Sequence, residues 1–309
     1  MTDFFCNIYS SIQDKNAFLK QIRFYSVLRV LTRWSANILL PLYYLCTRRN
    51  SCYALHTTDK KDNQLIVSLT SFPARINKVW IVIECMLRQT VKPDRIILWL
   101  SKEQFKDITS LPDRLVRLQS RGLDIRLMDG DIRSHKKYTH TLQQYPEACL
   151  IMIDDDFFYR STLIEELMEQ HTAHPEAVIA HYTHDMHYQA DCTLMSYNSW
   201  EDNVLDGAHL FFGSGGGTLV PPGTIHADVT DTATAVRLCP NADDVWLNAM
   251  VRLQKTPIIH TPHKDILLPV IQWRNITLFS SNETGGNDIQ IKQLTDYCLM
   301  QYGVNPFAQ

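Results

Sequence analysis

Between Gln64 and Tyr182 the chain alternates two kinds of apolar pattern. "QLIVSL" (64–69), "RIILWL" (95–100), "LDIRLM" (123–128), "CLIMID" (149–154) and "AVIAHY" (177–182) are short apolar runs of the length and composition of buried strands. Ile76, Val79, Trp80, Ile83, Met86 and Leu87 recur at helical spacing and predict a helix over 74–89. "LPDRLVRLQSRG" (111–122) predicts a short helix ending at Gly122, and "HKKYTHTLQQYP" (135–146) a helix closed by Pro146. "TLIEELMEQHTAHP" (162–175) predicts an amphipathic helix. Strands and helices in this rhythm predict an α/β fold, with a mostly parallel, doubly wound sheet flanked by helices. Ligands of such sheets bind beyond the carboxyl ends of the strands.

The pattern changes on both sides. Upstream, Phe24, Val27, Leu28, Leu31, Trp34 and Ile38 recur at helical spacing, with Arg29 and Arg33 opposite. "NILLPLYYLCTRR" follows, apolar for only about ten residues, where a bilayer needs roughly 20. Residues 1–60 therefore read as an N-terminal helical extension. Two readings stay open: a helix lying on an anionic membrane surface or a partner, or one packed on the main domain with its arginines in water. "HTTDKKDNQ" (56–64) reads as the linker into a domain spanning 61–309. Within it, 61–182 carries the alternation. From 183 the alternation stops, and 183–309 reads as the half that builds a second substrate's pocket.

Composition narrows the class. The 309 residues are 45% hydrophobic, enough for one large domain or two modest ones. A net charge of -3 gives no global case for binding nucleic acid. It is unevenly spread, since residues 1–50 hold seven Lys or Arg against two Asp. The eight cysteines are scattered without a CxxC, and Cys85 and Cys149 sit in apolar stretches as buried thiols would. With no apolar signal at its start, the chain reads as cytoplasmic.

The chemistry starts at "CLIMIDDDFFY" (149–159), where Asp154, Asp155 and Asp156 follow a strand. Three adjacent carboxylates repel one another unless a cation joins them, and Mg²⁺ or Mn²⁺ takes such ligands together with substrate phosphates. A polar turn leading into a helix is the plainer alternative. The position at a strand's carboxyl end favours a metal or ligand site.

Three stretches together resemble the GT-A (Rossmann-like) glycosyltransferases, and among them the family-2-like bacterial enzymes of surface polysaccharide synthesis. "IVSLTSFPARINKVWIVIECMLRQTVKPDRIILWLS" (66–101) is similar to the opening strand, a helix ending in a Gln-Thr pair (Gln89, Thr90) and the second strand. "IDDD" is similar to the DxD motif. "NADDVWLNAM" (241–250) is similar to the acidic pair before the helix that carries the catalytic base of inverting members. Ser101-Lys102 departs from the pattern, which often has an acid there.

The resemblance implies a nucleotide-sugar donor (a UDP- or GDP-sugar), a divalent cation (Mn²⁺ or Mg²⁺) and a glycan or lipid-linked acceptor. With the N-terminal helix on a membrane, the cytoplasmic reading extends to the inner face of the cell membrane. Asp156 becomes the direct metal ligand. Asp154 binds the metal through water or the ribose, and Asp155 serves either role. His260 is the candidate third ligand, with His263 behind it. Thr70, Ser71 and Arg75, after the first strand, fall among the substrate-binding residues. Lys136 and Lys137 either neutralise diphosphate or form a solvated helix face. Gly215, Gly216 and Gly217, in "FFGSGGGTLVPPG", lie near donor sugar and acceptor, or form a bulged turn. Asp244 becomes the general base and Asp243 its neighbour, unless both merely cap their helix. His181, His184 and His187 in "HYTHDMHY" read as acceptor-pocket or surface residues rather than a zinc site. Two other classes compete: a nucleotidyltransferase, although "TSFPAR" lacks that class's Gly-rich loop, and a non-catalytic glycan- or nucleotide-binding module.

Overall fold

The computed structural model describes residues 1–12, 23–47, 64–202, 204–205, 207, 209–263, 266–272 and 286–309. Its centre is a sheet of seven strands: β1 (Leu65–Thr70), β2 (Arg95–Ser101), β3 (Leu123–Met128), β4 (Cys149–Met152), β5 (Val178–Ala180), β6 (Thr218–Val220) and β7 (Ile258–His260). They lie in the order β7-β5-β6-β4-β1-β2-β3. All run parallel except β6, which is antiparallel to both β4 and β5. The expected α/β architecture with a mostly parallel sheet is therefore present.

The central strands read as unbroken apolar runs because both faces of the sheet are covered; five of the six β1 residues are buried. One cover is α3 (Val79–Leu87), buried at all nine positions. It is shorter than the pattern over 74–89 suggested, because residues 73–78 form turns. Its one acid, Glu84, is neutralised by Arg121 and Arg88. The short helix α4 (Asp113–Val116) runs into a 3-10 turn that stops at Gly122, whose φ of 108° is left-handed. Next come α5 (Lys136–Gln144) and α6 (Leu163–Ala173).

The second half also builds the sheet, through β6 and β7. It adds α7 (Thr232–Leu238), α8 (Asp243–Leu253) and α9 (Asn287–Tyr302). Strands of three residues are too short to show a period. In α9 the buried Ile291, Leu294 and Cys298 are mixed with the exposed Ile289, Leu299 and Met300, which blurs the stripe.

The N-terminal extension forms α1 (Thr2–Ser11) and α2 (Phe24–Cys46), the latter continuous through Pro41. Ala36, Leu40 and Tyr44 of α2 share one apolar core with α3 and the sheet. Asn37 accepts from the Ile271 amide at 2.7 Å and donates to the Pro269 carbonyl at 2.9 Å. One expectation is inverted. Arg29 turns inward to donate to the Ile12 carbonyl, and Arg33 is only partly exposed, while Val27, Leu31, Trp34 and Ile38 face outward. The core contact runs through Thr32, Ala36, Leu40 and Tyr44 instead of the Val27–Ile38 stripe. Among the described residues no helix is long and apolar enough to cross a membrane. The proposed linker, Gln64 apart, lies outside the described residues. Cys85 is buried as expected, but Cys149 only partly.

Candidate active site

β4 ends at Met152, and the chain must turn there. The aspartate triplet occupies that turn, and each acid takes different partners. Asp155 is buried, accepting from Ser71 Oγ at 2.5 Å and Arg75 Nη1 at 2.8 Å. Arg75 also reaches Asp156 Oδ2 at 2.9 Å and stacks on Phe72. Asp154 accepts from Lys137 Nζ at 2.8 Å. Ser71 and Arg75 thus belong to the site. Thr70 does not use its hydroxyl there, because Oγ1 donates to the Trp99 carbonyl at 2.8 Å.

Lys137 makes the connection across the site. Its buried ammonium lies 2.8 Å from Asp154 and 2.8 Å from Asp243 Oδ2. Asp154 Oδ1, just past β4, and Asp243 Oδ2, at the start of α8, are therefore no more than two hydrogen-bond lengths apart. Asp244 follows on the same first turn. Ser214 donates its amide to Asp244 Oδ1 at 2.8 Å, and its hydroxyl reaches both Asp244 Oδ1 and Asp243 Oδ2. Neither aspartate caps α8: the N-cap is Ala242, which makes no side-chain cap bond.

The glycine stretch is a 3-10 turn leading into β6. A Cβ on Gly215 would stand 1.9 Å from Asp154 Oδ2, so any other residue would push this carboxylate aside. Gly217 has a φ of 103° and also lies against Leu163. Tyr159 fixes the crossing, donating to the Gly215 carbonyl at 2.5 Å and accepting from the Asp154 amide at 2.9 Å.

Other expectations change. Lys136, one residue from the bridge, turns away to pair with Asp131, because adjacent helix residues point about 100° apart. Lys137 is no solvated lysine: two carboxylates enclose it. His260 closes β7 with β5 and β6 between it and β4. Three strand spacings put that strand end about 14 Å away, and His260 Nδ1 is bonded to the Thr261 carbonyl. His263 lies 3.3 Å from Glu166. Among the described residues no three His, Cys, Asp or Glu side chains form a metal-binding group. The histidines of "HYTHDMHY" diverge, His181 meeting Thr261 and His184 meeting Asp202 and Tyr197. Gln89 and Thr90, the pair that carried part of the resemblance, bond to the 160–165 segment.

Charge explains the protonation pattern. Five carboxylates share Arg75 and Lys137. Burial, then the Asp155 charge, pushes Asp156 up to about 7, against the pull of Arg75. Burial and the Asp243 charge push Asp244 up to about 6, against Lys137. Asp243 is buried too, yet Lys137 and His135 hold it down at about 2. Burial lowers His135 itself, so Lys137 is the partner that acts at neutral pH. The cluster has more negative charge than it neutralises.

The donor set fits a hard divalent cation in the way one or two carboxylates do when substrate phosphates complete the shell. Asp154 and Asp156 retain 40% and 20% side-chain exposure, whereas Asp155 is sealed by Ser71 and Arg75.

Sequence reasoning missed Ser214, which was in view inside the glycine stretch. It also missed Tyr182 and Tyr197. Tyr182 packs against Gly213 and Gly216 of the glycine turn, and Tyr197 against His184, Trp200 and Phe211; burial raises both phenols. Tyr182 lay in a segment read only for its histidines.

No family model and no curated protein sequence matches the chain. Solved structures similar to it include the mannosyltransferase PcManGT from Pyrobaculum calidifontis in complex with GDP-Man and Mn²⁺, at 10% identity over 85% of this chain and 74% of that one, with a TM-score of 0.47. HddC from Yersinia pseudotuberculosis is 13% identical over 54% of this chain and 78% of its own, at a TM-score of 0.30. The UTP-bound UGPase from Acinetobacter baumannii is 10% identical over 79% and 96%, at 0.36. Likenesses this distant assign no activity.

Proposed function

We propose that the chain is a metal-dependent, inverting glycosyltransferase of the GT-A kind. It moves a sugar from a UDP- or GDP-sugar to a glycan or lipid-linked acceptor in bacterial surface polysaccharide synthesis. The observation that carries this reading is the Lys137 bridge, which sets a carboxylate cluster at a strand end beside a second carboxylate whose pKa is raised toward neutrality. A binding module needs the first feature but not the second.

In this reading Asp156 and Asp154 hold the cation, which when bound offsets charge building on the leaving nucleoside diphosphate. Asp155 serves as the anchor between Ser71 and Arg75, and Arg75 keeps the acids together in the metal-free chain. Asp244 accepts the proton of the attacking acceptor hydroxyl. Both Ser214 bonds end on its Oδ1, so Oδ2 is the atom for that proton. Asp243 stays ionised against Lys137, and its charge keeps Asp244 basic.

The test is a panel of UDP-, GDP- and CMP-sugars with glycan and lipid-linked acceptors, run with Mn²⁺ and with EDTA. Metal-dependent transfer with an inverted anomeric centre is expected. Release of pyrophosphate from a nucleoside triphosphate and a sugar 1-phosphate would reassign the chain as a nucleotidyltransferase. Binding without turnover would make it a binding module.

A further inference from the structure

The outer face of α2 takes no part in the site. Residues of a helix advance about 100° each, so Ala36, Leu40 and Tyr44 point to one side and Val27, Leu31, Trp34, Ile38, Leu42 and Leu45 to the opposite side. The first set is fully buried, whereas every member of the second is at least 40% exposed. An exposed apolar stripe along a 23-residue helix is unusual for a surface that meets only water.

Charge identifies what covers it. From Lys15 to Asn50 the sequence holds seven Lys or Arg and no Asp or Glu. The net charge of -3 then leaves -10 on the rest of the chain. A second copy docking by a twofold axis would set this basic segment against itself. An anionic lipid surface complements it: apolar side chains enter the acyl boundary while basic side chains meet headgroups. Arg23, exposed at the N-terminus of α2, is placed for that role.

We propose that α2 lies flat in an anionic bilayer surface through its Val27–Leu45 face and holds the catalytic end of the sheet at a fixed height above it. The coupling is on the page. Asn37, on the flank of α2, binds the backbone on both sides of Val270, and the Val270 amide donates to the Asp156 carbonyl at 2.7 Å. This deepens the proposed function and rests on it in one respect: a site fixed above a bilayer suits a lipid-linked acceptor better than a soluble one.

The full chain is tested by co-sedimentation with vesicles of phosphatidylcholine alone and of phosphatidylcholine mixed with phosphatidylglycerol. The variant is Leu31→Glu combined with Ile38→Glu, both exposed positions, with circular dichroism to check folding. Wild type should bind the anionic vesicles and release them in high salt, and the variant should bind about tenfold less or weaker. Failure of wild type to bind, or equal binding by the folded variant, overturns the proposal. So does a wild-type dimer that the variant abolishes, because a second copy then covers the face. Turnover of a soluble donor and acceptor is measured in parallel. Vesicle binding without turnover by either protein would remove the catalytic reading and leave the docking surface standing.

Discussion

Lys137 Nζ lies 2.8 Å from Asp243 Oδ2, which ties α5 to the first turn of α8. Both groups are buried, and the same ammonium compensates Asp154. Removing it as Lys137→Met leaves the buried Asp243 without its compensating charge. That should destabilise the protein by about 3–5 kcal/mol at neutral pH, read by urea denaturation. Asp243 is held at about 2 against an ordinary 3.8. Its contribution is therefore present above about pH 4 and lost as pH falls through about 2. The variant should show a flatter stability profile across that window. An unchanged midpoint at pH 7 would mean that Lys137 is not the compensating charge.

Gly215→Ala tests the crossing of the two loops. The added Cβ would meet Asp154 Oδ2 at 1.9 Å, so the carboxylate must swing aside. Moving a metal-supporting group typically costs 10–100-fold in metal affinity, and about that loss in Mn²⁺-dependent nucleotide binding is expected. The rest of the turn keeps its backbone, so thermal unfolding should shift little beside it. Wild-type Mn²⁺ affinity in this variant would show that Asp154 takes no part in holding the cation.

Asp156→Ala should abolish transfer and remove the gain in nucleotide affinity that Mn²⁺ gives the wild type. Calorimetric titration of UDP and GDP with and without Mn²⁺ measures this. EDTA should bring the wild type down to the level of the variant. A Mn²⁺ gain that survives the substitution would move the cation elsewhere.

The strands of the first half could be read from sequence because both faces of the sheet are covered, so the runs from Leu65 to Thr70 and Arg95 to Ser101 are mostly apolar. The triplet stood out because like charges rarely adjoin without a cause. What stayed hidden depended on three-dimensional neighbours. Lys136 and Lys137 look equivalent in sequence, and only the helix phase sends one to Asp131 and the other to Asp154 and Asp243. β6 and β7 are three residues each, below the length at which a period exists. Of the two readings of the N-terminal helix, only the one that packs its Val27–Ile38 stripe on the main domain disagrees with the structure. The buried face mixes the small Thr32 and Ala36 with Leu40 and Tyr44, so it is no more apolar in sequence than the exposed stripe of Val27, Leu31, Trp34 and Ile38, and size and hydropathy alone do not tell the two faces apart.

Asp244→Asn separates a general base from a structural acid. The amide keeps the shape and can still accept the Ser214 hydrogen bonds at its oxygen, so the turn should hold. It cannot take a proton from an acceptor hydroxyl. A loss on the order of 10²–10⁴ in kcat is expected, the usual size of a general-base contribution, with donor binding nearly intact because the cation-holding acids are separate. The pH profile gives an independent reading. Asp244 is raised to about 6 from an ordinary 3.8, and the base must be ionised to act. The kcat/KM of the wild type should therefore fall as pH drops through about 6, and the variant should lose that limb along with the rate. Because the folded carboxyl holds its proton more tightly than the unfolded one, Asp244 favours the folded state below pH 3.8, and this advantage is lost as pH rises to about 6. The Asn variant should then be at least as stable as wild type at neutral pH while much slower. Near-normal turnover, or a product that keeps the donor's anomeric configuration, would exclude Asp244 as the base.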